Sequence, residues 1–202
     1  ALTSSLPIMS ACQTEVLPLP TVLLSSHTGE FENIYVRDLT DDLKGFCEQW
    51  DHLDFIVAGL VSGYFKSEEA LKCVGQLARD KQIALFVDPI MGDNGRLYQG
   101  FDRNYVETMK DFCQQADVII PNLTEAALLT DTPYLEAGSY DEVTIEKLLR
   151  ELTKLGPRKV ILTGISFETD KIGLAYFDKE TNRTIYRMQK RYGNHFYGSG
   201  DL

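Results

Sequence analysis

Gly198, Ser199, Gly200 and Asp201 form a Gly-x-Gly-Asp turn in the stretch NHFYGSGDL at the end of the sequence. Two glycines so placed let successive backbone N–H groups point into one concavity, and a helix starting there would add the positive end of its dipole. A carboxylate beside a concavity built for anions needs a task of its own. Asp201 could take the proton of an attacking hydroxyl while the N–H groups stabilise charge on a transferring phosphoryl group. The plain alternative is a flexible Gly-Ser-Gly segment.

Three other stretches carry weaker signals. VDPIMGDNG (87–95) holds two carboxylates, Asp88 and Asp93, among glycines that allow a backbone to approach a ligand closely. The same residues would also serve as an Asx-turn before Pro89 and a turn cap. In PNLTEA (121–126), Asn122 and Glu125 sit three apart at a helix start, on one face and near the positive end of its dipole. They fit equally well an N-cap and its capping-box partner, which need no metal. Oxygen-only sets of this type suit Mg²⁺, held by one or two carboxylates, waters and substrate phosphates. No Cys/His set points to zinc. SSHTGEF (25–31) offers His27 and Thr28, and SGYF (62–65) offers Tyr64, whose ring is either core packing or a platform for a flat heteroaromatic ring. The P-loop pattern is absent, as is a GxGxxG after the first strand, which disfavours P-loop and dinucleotide readings, a Rossmann dehydrogenase included.

These stretches share an address. TVLLSS (21–26), FIVAG (55–59), IALFVD (83–88), DVIIP (117–121) and KVILTG (159–164) read as short buried strands. Helical spacing runs through 67–81, 102–116 and 141–156, the last stopping at Gly156-Pro157. This alternation predicts a doubly wound, mostly parallel α/β sheet with helices on both faces. KIGLAYFD (171–178) and RTIYRMQKR (183–191) read as a β-hairpin adding an antiparallel edge. Ligands of such sheets bind at the carboxyl ends of the strands, where all the candidate residues fall.

The chain has 202 residues, 44% of them apolar, enough for one domain with a sizeable core. A net charge of −10 with no Lys/Arg-rich window leaves nucleic acid and anionic membrane without an electrostatic footprint. The longest apolar stretch, DFIVAGLVSGYF, is broken by Gly and Ser and is too short to span a membrane. Four dispersed cysteines without a CxxC, and no signal-peptide pattern at the start, are expected of a soluble protein in a reducing cytoplasm.

Taken in order, HTGEF, RDLTDDL, SGYF, DPIMGDNGRLY, PNLTEAALL, GPRKVILTG and HFYGSGDL resemble the pyridoxal kinase group of the ribokinase-like superfamily over nearly the whole chain. The resemblance implies ATP-dependent phosphorylation of the 5′-hydroxyl of pyridoxal, pyridoxine or pyridoxamine, usually by a homodimer. It implies Asp201 as the base and the backbone of Gly198, Ser199 and Gly200 as the anion hole for the γ-phosphate. Asn122 and Glu125 match an N-x-x-E element that organises Mg²⁺, partly through water. Asp88 and Asp93 match a D-P-x-x-G-D element near phosphates and cations, and Thr163 a threonine that approaches the ATP phosphates. His27, Thr28 and Tyr64 match positions lining the vitamin pocket. Where the family often has a Thr that helps hold a monovalent cation, this sequence has Ile120, which argues against that cation.

The family pattern also begins with a strand and a substrate-contacting turn, and continues past the Gly-x-Gly-Asp turn into an anion-hole helix and an adenine wall. The resemblance implies a single kinase domain lacking both parts, and a 202-residue polypeptide of this kind is expected to be inactive. Two other readings stand beside it. One is a hydroxymethylpyrimidine kinase of thiamin synthesis, whose substrate is also a heteroaromatic ring with a hydroxymethyl group. The other is a non-catalytic binder of B6 vitamers.

Overall fold

The computed structural model describes residues 2–26, 31, 33–52 and 56–193. Its elements are α1 (Leu2–Ala11), β1 (Val22–Leu24), β2 (Val36–Asp38), α2 (Thr40–Asp51), β3 (Gly59–Ser62), α3 (Glu68–Lys81), β4 (Ala84–Val87), β5 (Gly92–Asp93), β6 (Arg96–Leu97), α4 (Arg103–Gln114), β7 (Val118–Ile119), α5 (Leu123–Thr130), α6 (Glu142–Lys154), β8 (Lys159–Ile165), β9 (Lys171–Asp178) and β10 (Arg183–Lys190). Caps set the helix starts. The side chains of Ser67, Asp102, Asn122 and Asp141 accept backbone N–H groups of the first turns of α3, α4, α5 and α6.

Six strands form one sheet in the order β10-β9-β8-β7-β4-β3. β3, β4, β7 and β8 run parallel, while β8-β9 and β9-β10 are antiparallel, so the hairpin expected at 171–191 is the sheet's edge. The parallel order advances in one direction, and right-handed crossovers then put the connecting helices on a single face. Consistent with this, α2 to α6 pack side by side in chain order, and the Arg150 guanidinium of α6 lies 5.0 Å over the Phe177 ring of β9. The facing strand residues Leu85, Val87, Ile119, Val160, Leu162, Ala175 and Phe177 are buried against α3 to α6. Alternate residues point the other way, and there Val61 is 50% exposed while Phe86, Ile161 and Tyr176 are half-buried. Among the described residues the helices of the crossovers thus line one face.

The strand expected at 21–26 is real but lies outside this sheet. β1 pairs antiparallel with β2 in a separate ribbon, and Leu23 is 54% exposed rather than buried. The strand expected at 55–59 is displaced, because Gly59–Ser62 is the segment in register with Ala84–Val87, and Ile56 is 98% exposed. Pattern reading also left out α1, β2, α2 and the β5-β6 hairpin. The first is an apolar helix that buries no residue, and the hairpin strands are two residues each.

Candidate active site

Four strand ends are stitched together at one edge of the sheet. The Asp88 N–H donates to the Ser62 carbonyl at 3.4 Å, Ile120 N–H to Val87 at 2.8 Å and Thr163 N–H to Pro121 at 2.9 Å. The segments following β3, β4, β7 and β8 are therefore held beside each other, as the alternation of strands and helices predicts. Asp88, Asn122, Thr163 and Tyr64 all belong to this edge. His27, Thr28, Gly198, Ser199, Gly200 and Asp201 lie outside the described residues.

Glu125 is the most buried of these groups, 3% exposed. It completes a capping box: the Glu125 N–H donates to Asn122 Oδ1 at 2.9 Å, and the Asn122 N–H donates to Glu125 Oε2 at 2.8 Å. Its other oxygen, Oε1, accepts the Met91 N–H at 3.2 Å, and the Gly92 N–H also bonds the carboxylate. Asn122 Nδ2 in turn donates to the Gly92 carbonyl at 2.9 Å. Both oxygens of Glu125 thus take backbone donors, which leaves it outer-sphere work toward any cation. Burial, and then the charge of Asp88, push its carboxyl well above the usual carboxylate range, against the opposing pull of those N–H groups. Cys113, fully buried, has its thiol pushed up by burial, then by Glu125 and Asp88.

Asp93 stands apart on the exposed β5-β6 hairpin, where its carboxylate accepts the Asn94 N–H at 2.8 Å and Asn94 Nδ2 at 3.1 Å. The Asn94-Gly95 turn has φ of 50° and 74°, the positive pair that a two-residue type I′ hairpin requires. Glycine is needed at 92 as well, since a Cβ there would lie 2.5 Å from the Arg96 carbonyl oxygen. Thr163 sits just before a bulge at Gly164 (φ 73°), which interrupts the β8-β9 register at the site. Its Oγ1 lies 3.4 Å from the Pro121 carbonyl.

Tyr64 is half-buried, and burial pushes its phenol up. Its ring packs on Phe101 at 5.7 Å, and Phe101 stacks on Tyr105 at 3.9 Å with 14° between planes. The Tyr105 hydroxyl donates to the Phe65 carbonyl at 3.2 Å, and Thr21 Oγ1 donates to the Tyr64 carbonyl at 3.0 Å. Sequence reasoning found Tyr64 but not Phe101, which follows a turn and carries no pattern. It also missed Ser62, whose hydroxyl is buried beside this edge without a hydrogen-bond partner among the described residues.

A hydrated divalent cation with substrate phosphates fits the donor set at this edge. Asp88 and Glu125 are close enough for one charge to raise the other's pKa, and the ligands are oxygens only. Among the described residues no three His, Cys, Asp or Glu side chains gather into a cage.

The family model described as phosphomethylpyrimidine kinase matches residues 42–202. The chain belongs to the pyridoxal kinase and phosphomethylpyrimidine kinase family. The family resemblance read from the ordered motifs is therefore correct, and with it the ribokinase-like α/β fold. A solved Lactobacillus plantarum pyridoxal kinase superposes with a TM-score of 0.87 at 36% identity, covering 100% of this chain and 71% of that one. A Bacteroides thetaiotaomicron structure, described as a "putative phosphomethylpyrimidine kinase" in a form with pyridoxal, superposes with a TM-score of 0.91 at 32% identity, covering 100% and 71%. The Saccharomyces cerevisiae protein named "Putative pyridoxal kinase BUD17" is 27% identical over 200 residues, 91% of this chain. The chain spans 61% of the length of that curated relative. Members of this family are kinases. Among the described residues no helix is long and apolar enough to cross a membrane.

Proposed function

We propose that this family member is a cytoplasmic, homodimeric enzyme that transfers the γ-phosphoryl group of ATP to the 5′-hydroxymethyl group of pyridoxal, pyridoxine or pyridoxamine. The observation that carries the reading is one sheet edge that brings an aromatic ledge, Tyr64 on Phe101, together with the Asp88, Asn122, Glu125 and Thr163 set. A flat heteroaromatic ring suits the first, and phosphates with their counter-cation suit the second. The likeness to a structure described with pyridoxal supports the choice of ring.

In this reading Tyr64, with His27 and Thr28, holds the vitamer. Asp201 removes the proton of the hydroxymethyl group as its oxygen bonds to the γ-phosphorus. The bond from that phosphorus to the β,γ-bridging oxygen breaks, and ADP leaves with the electron pair. The backbone N–H groups of Gly198, Ser199 and Gly200 stabilise the charge on the moving phosphoryl oxygens. Thr163 and Asp93 border the phosphates. Asp88 would hold Mg²⁺, with Asn122 and Glu125 acting through water; bound there, the ion supplies charge neutralisation to the phosphates. Ile120 offers a monovalent cation no ligand from its side chain.

The test is ATP-dependent conversion of pyridoxal to its 5′-phosphate, with hydroxymethylpyrimidine as competitor, in the protein and its Asp201→Asn variant. Turnover of pyridoxal should fall about 10²-fold or more in the variant while vitamer binding persists. Phosphorylation of the pyrimidine alone would favour the second reading, which the family model's own description supports. Vitamer binding without any turnover, in a protein that carries the anion-hole helix and adenine wall of the family pattern, would identify a binder.

A further inference from the structure

The first turn of α5 grips the loop after β4 through more than the capping box. Asn122 holds the Gly92 carbonyl, Glu125 holds the Met91 and Gly92 N–H groups, and the Thr124 hydroxyl accepts the Gly95 N–H at 2.9 Å. The Gly95 bond is different in kind. The others fasten the base of the hairpin, whereas Gly95 is at its tip, in the turn next to Asn94 and Asp93. Thr124 is 3% exposed, and its hydroxyl is engaged by the Gly95 N–H, so it acts through the turn it holds. Tyr134 also packs on the turn: its nearest ring atom would be 3.0 Å from a Cβ at position 95.

We propose that Thr124 is a positioning residue for the nucleotide: it pins the Asn94-Gly95 turn to α5 and so fixes where Asp93 stands at the phosphate side of the site. The inference rests on the nucleotide reading given above. A two-residue hairpin with strands of two residues has little stability of its own. Without the hydroxyl its tip has one polar anchor fewer, while Asn122 and Glu125 keep the base in place. Among the described residues no hydrogen bond runs directly from Tyr64, Phe101 or Tyr105 on the vitamer side to Thr124 or Gly95; the link is through Tyr98, whose N–H bonds the Met91 carbonyl and whose carbonyl accepts the Phe101 N–H, and it reaches only the hairpin's base.

Thr124→Val keeps the shape and removes the acceptor; Thr124→Ser keeps the acceptor. In the full chain, Thr124→Val should raise the KM for ATP roughly five- to tenfold, leave the KM for pyridoxal within about twofold of the parent, and be rescued by Thr124→Ser. Equal rises in both constants, or no rise for ATP, overturn the proposal. Amide exchange at Gly95 in the unsubstituted protein gives a readout that survives a variant that fails to fold. The Gly95 N–H should be protected, and more so when a non-hydrolysable ATP analogue and Mg²⁺ are added. An unprotected amide, or one the analogue leaves unchanged, overturns the clamp. An unsubstituted protein that binds no analogue refutes the nucleotide reading itself, and this proposal with it, before any variant is made.

Discussion

Glu125 and Asp117 do the same local job at opposite ends of the sheet and end in opposite electrostatic states. Each is a carboxylate that accepts a backbone N–H from the β4 region: Glu125 from Met91 beyond its carboxyl end, Asp117 from Leu85 within it at 3.0 Å. Asp117 also takes the Arg158 guanidinium at 2.8 Å, and this partner, then the Leu85 N–H, holds its carboxyl below the usual range. Glu125 has Asp88 for a neighbour and is buried, so its carboxyl is pushed up. The fold uses a carboxylate as a backbone acceptor at either end. Only at the carboxyl end is the charge set beside a second carboxylate, a state that a phosphate-bound cation would relieve.

The largest expected effect comes from breaking that buried acceptor. Glu125→Ala leaves the N–H groups of Asn122, Met91 and Gly92 without their acceptor in a region closed to water. It should cost roughly 3 kcal/mol or more in urea unfolding. Glu125→Gln keeps one acceptor oxygen and removes the charge, so it should stay within about 1.5 kcal/mol of the parent. Equal losses in the two variants would mean that one acceptor oxygen is not enough and that the fold needs the whole carboxylate there.

A second contrast separates function from stability. Phe101→Ala removes the ring on which Tyr64 rests at 5.7 Å. An aromatic pair of this kind is worth about 0.5–1.5 kcal/mol, so the KM for pyridoxal should rise roughly two- to tenfold. Arg158→Ala, at the other end of the sheet, should leave both substrate constants unchanged while lowering the melting temperature slightly. A shift of substrate constants by Arg158→Ala would show that the two ends are coupled.

The same contrast explains what the sequence made legible. Strands buried on the helix side, such as Val160 and Leu162 in β8, announce themselves as β-branched and apolar runs, and caps such as Asp102 and Asp141 mark their helices. The site's Asn122 and Glu125 were readable because capping chemistry and ligand chemistry ask for the same residues at the same spacing. Thr124 was hidden for the complementary reason: a threonine in a first helical turn looks ordinary, and its partner, the Gly95 N–H, is a backbone group with no signature. The 21–26 strand reads as buried from its apolar types, yet Leu23 is exposed in the β1-β2 ribbon, as are Tyr35 and Val36 across from it. Periodicity reports what a strand could bury, not where it is placed.

The smallest effect is the one that tests the electrostatic half of the comparison. Asp117→Asn can still offer Leu85 an oxygen but loses the pairing with Arg158. Because the folded-state pKa of Asp117 lies below its ordinary value of 3.8, the folded protein favours the ionised form. That stabilisation is fully present above 3.8 and disappears as pH falls through the folded pKa. Arg158 is 62% exposed and shared with Glu180, so solvent screens the pair. At neutral pH the variant should be less stable than the parent by at most about 1 kcal/mol. The gap should narrow on acidification below 3.8 and shrink in high salt. A gap that persists through the acid range would show that the amide disturbs the contacts around Leu85 rather than removing a charge interaction, and the two ends of the sheet would then differ in burial but not in how they manage charge.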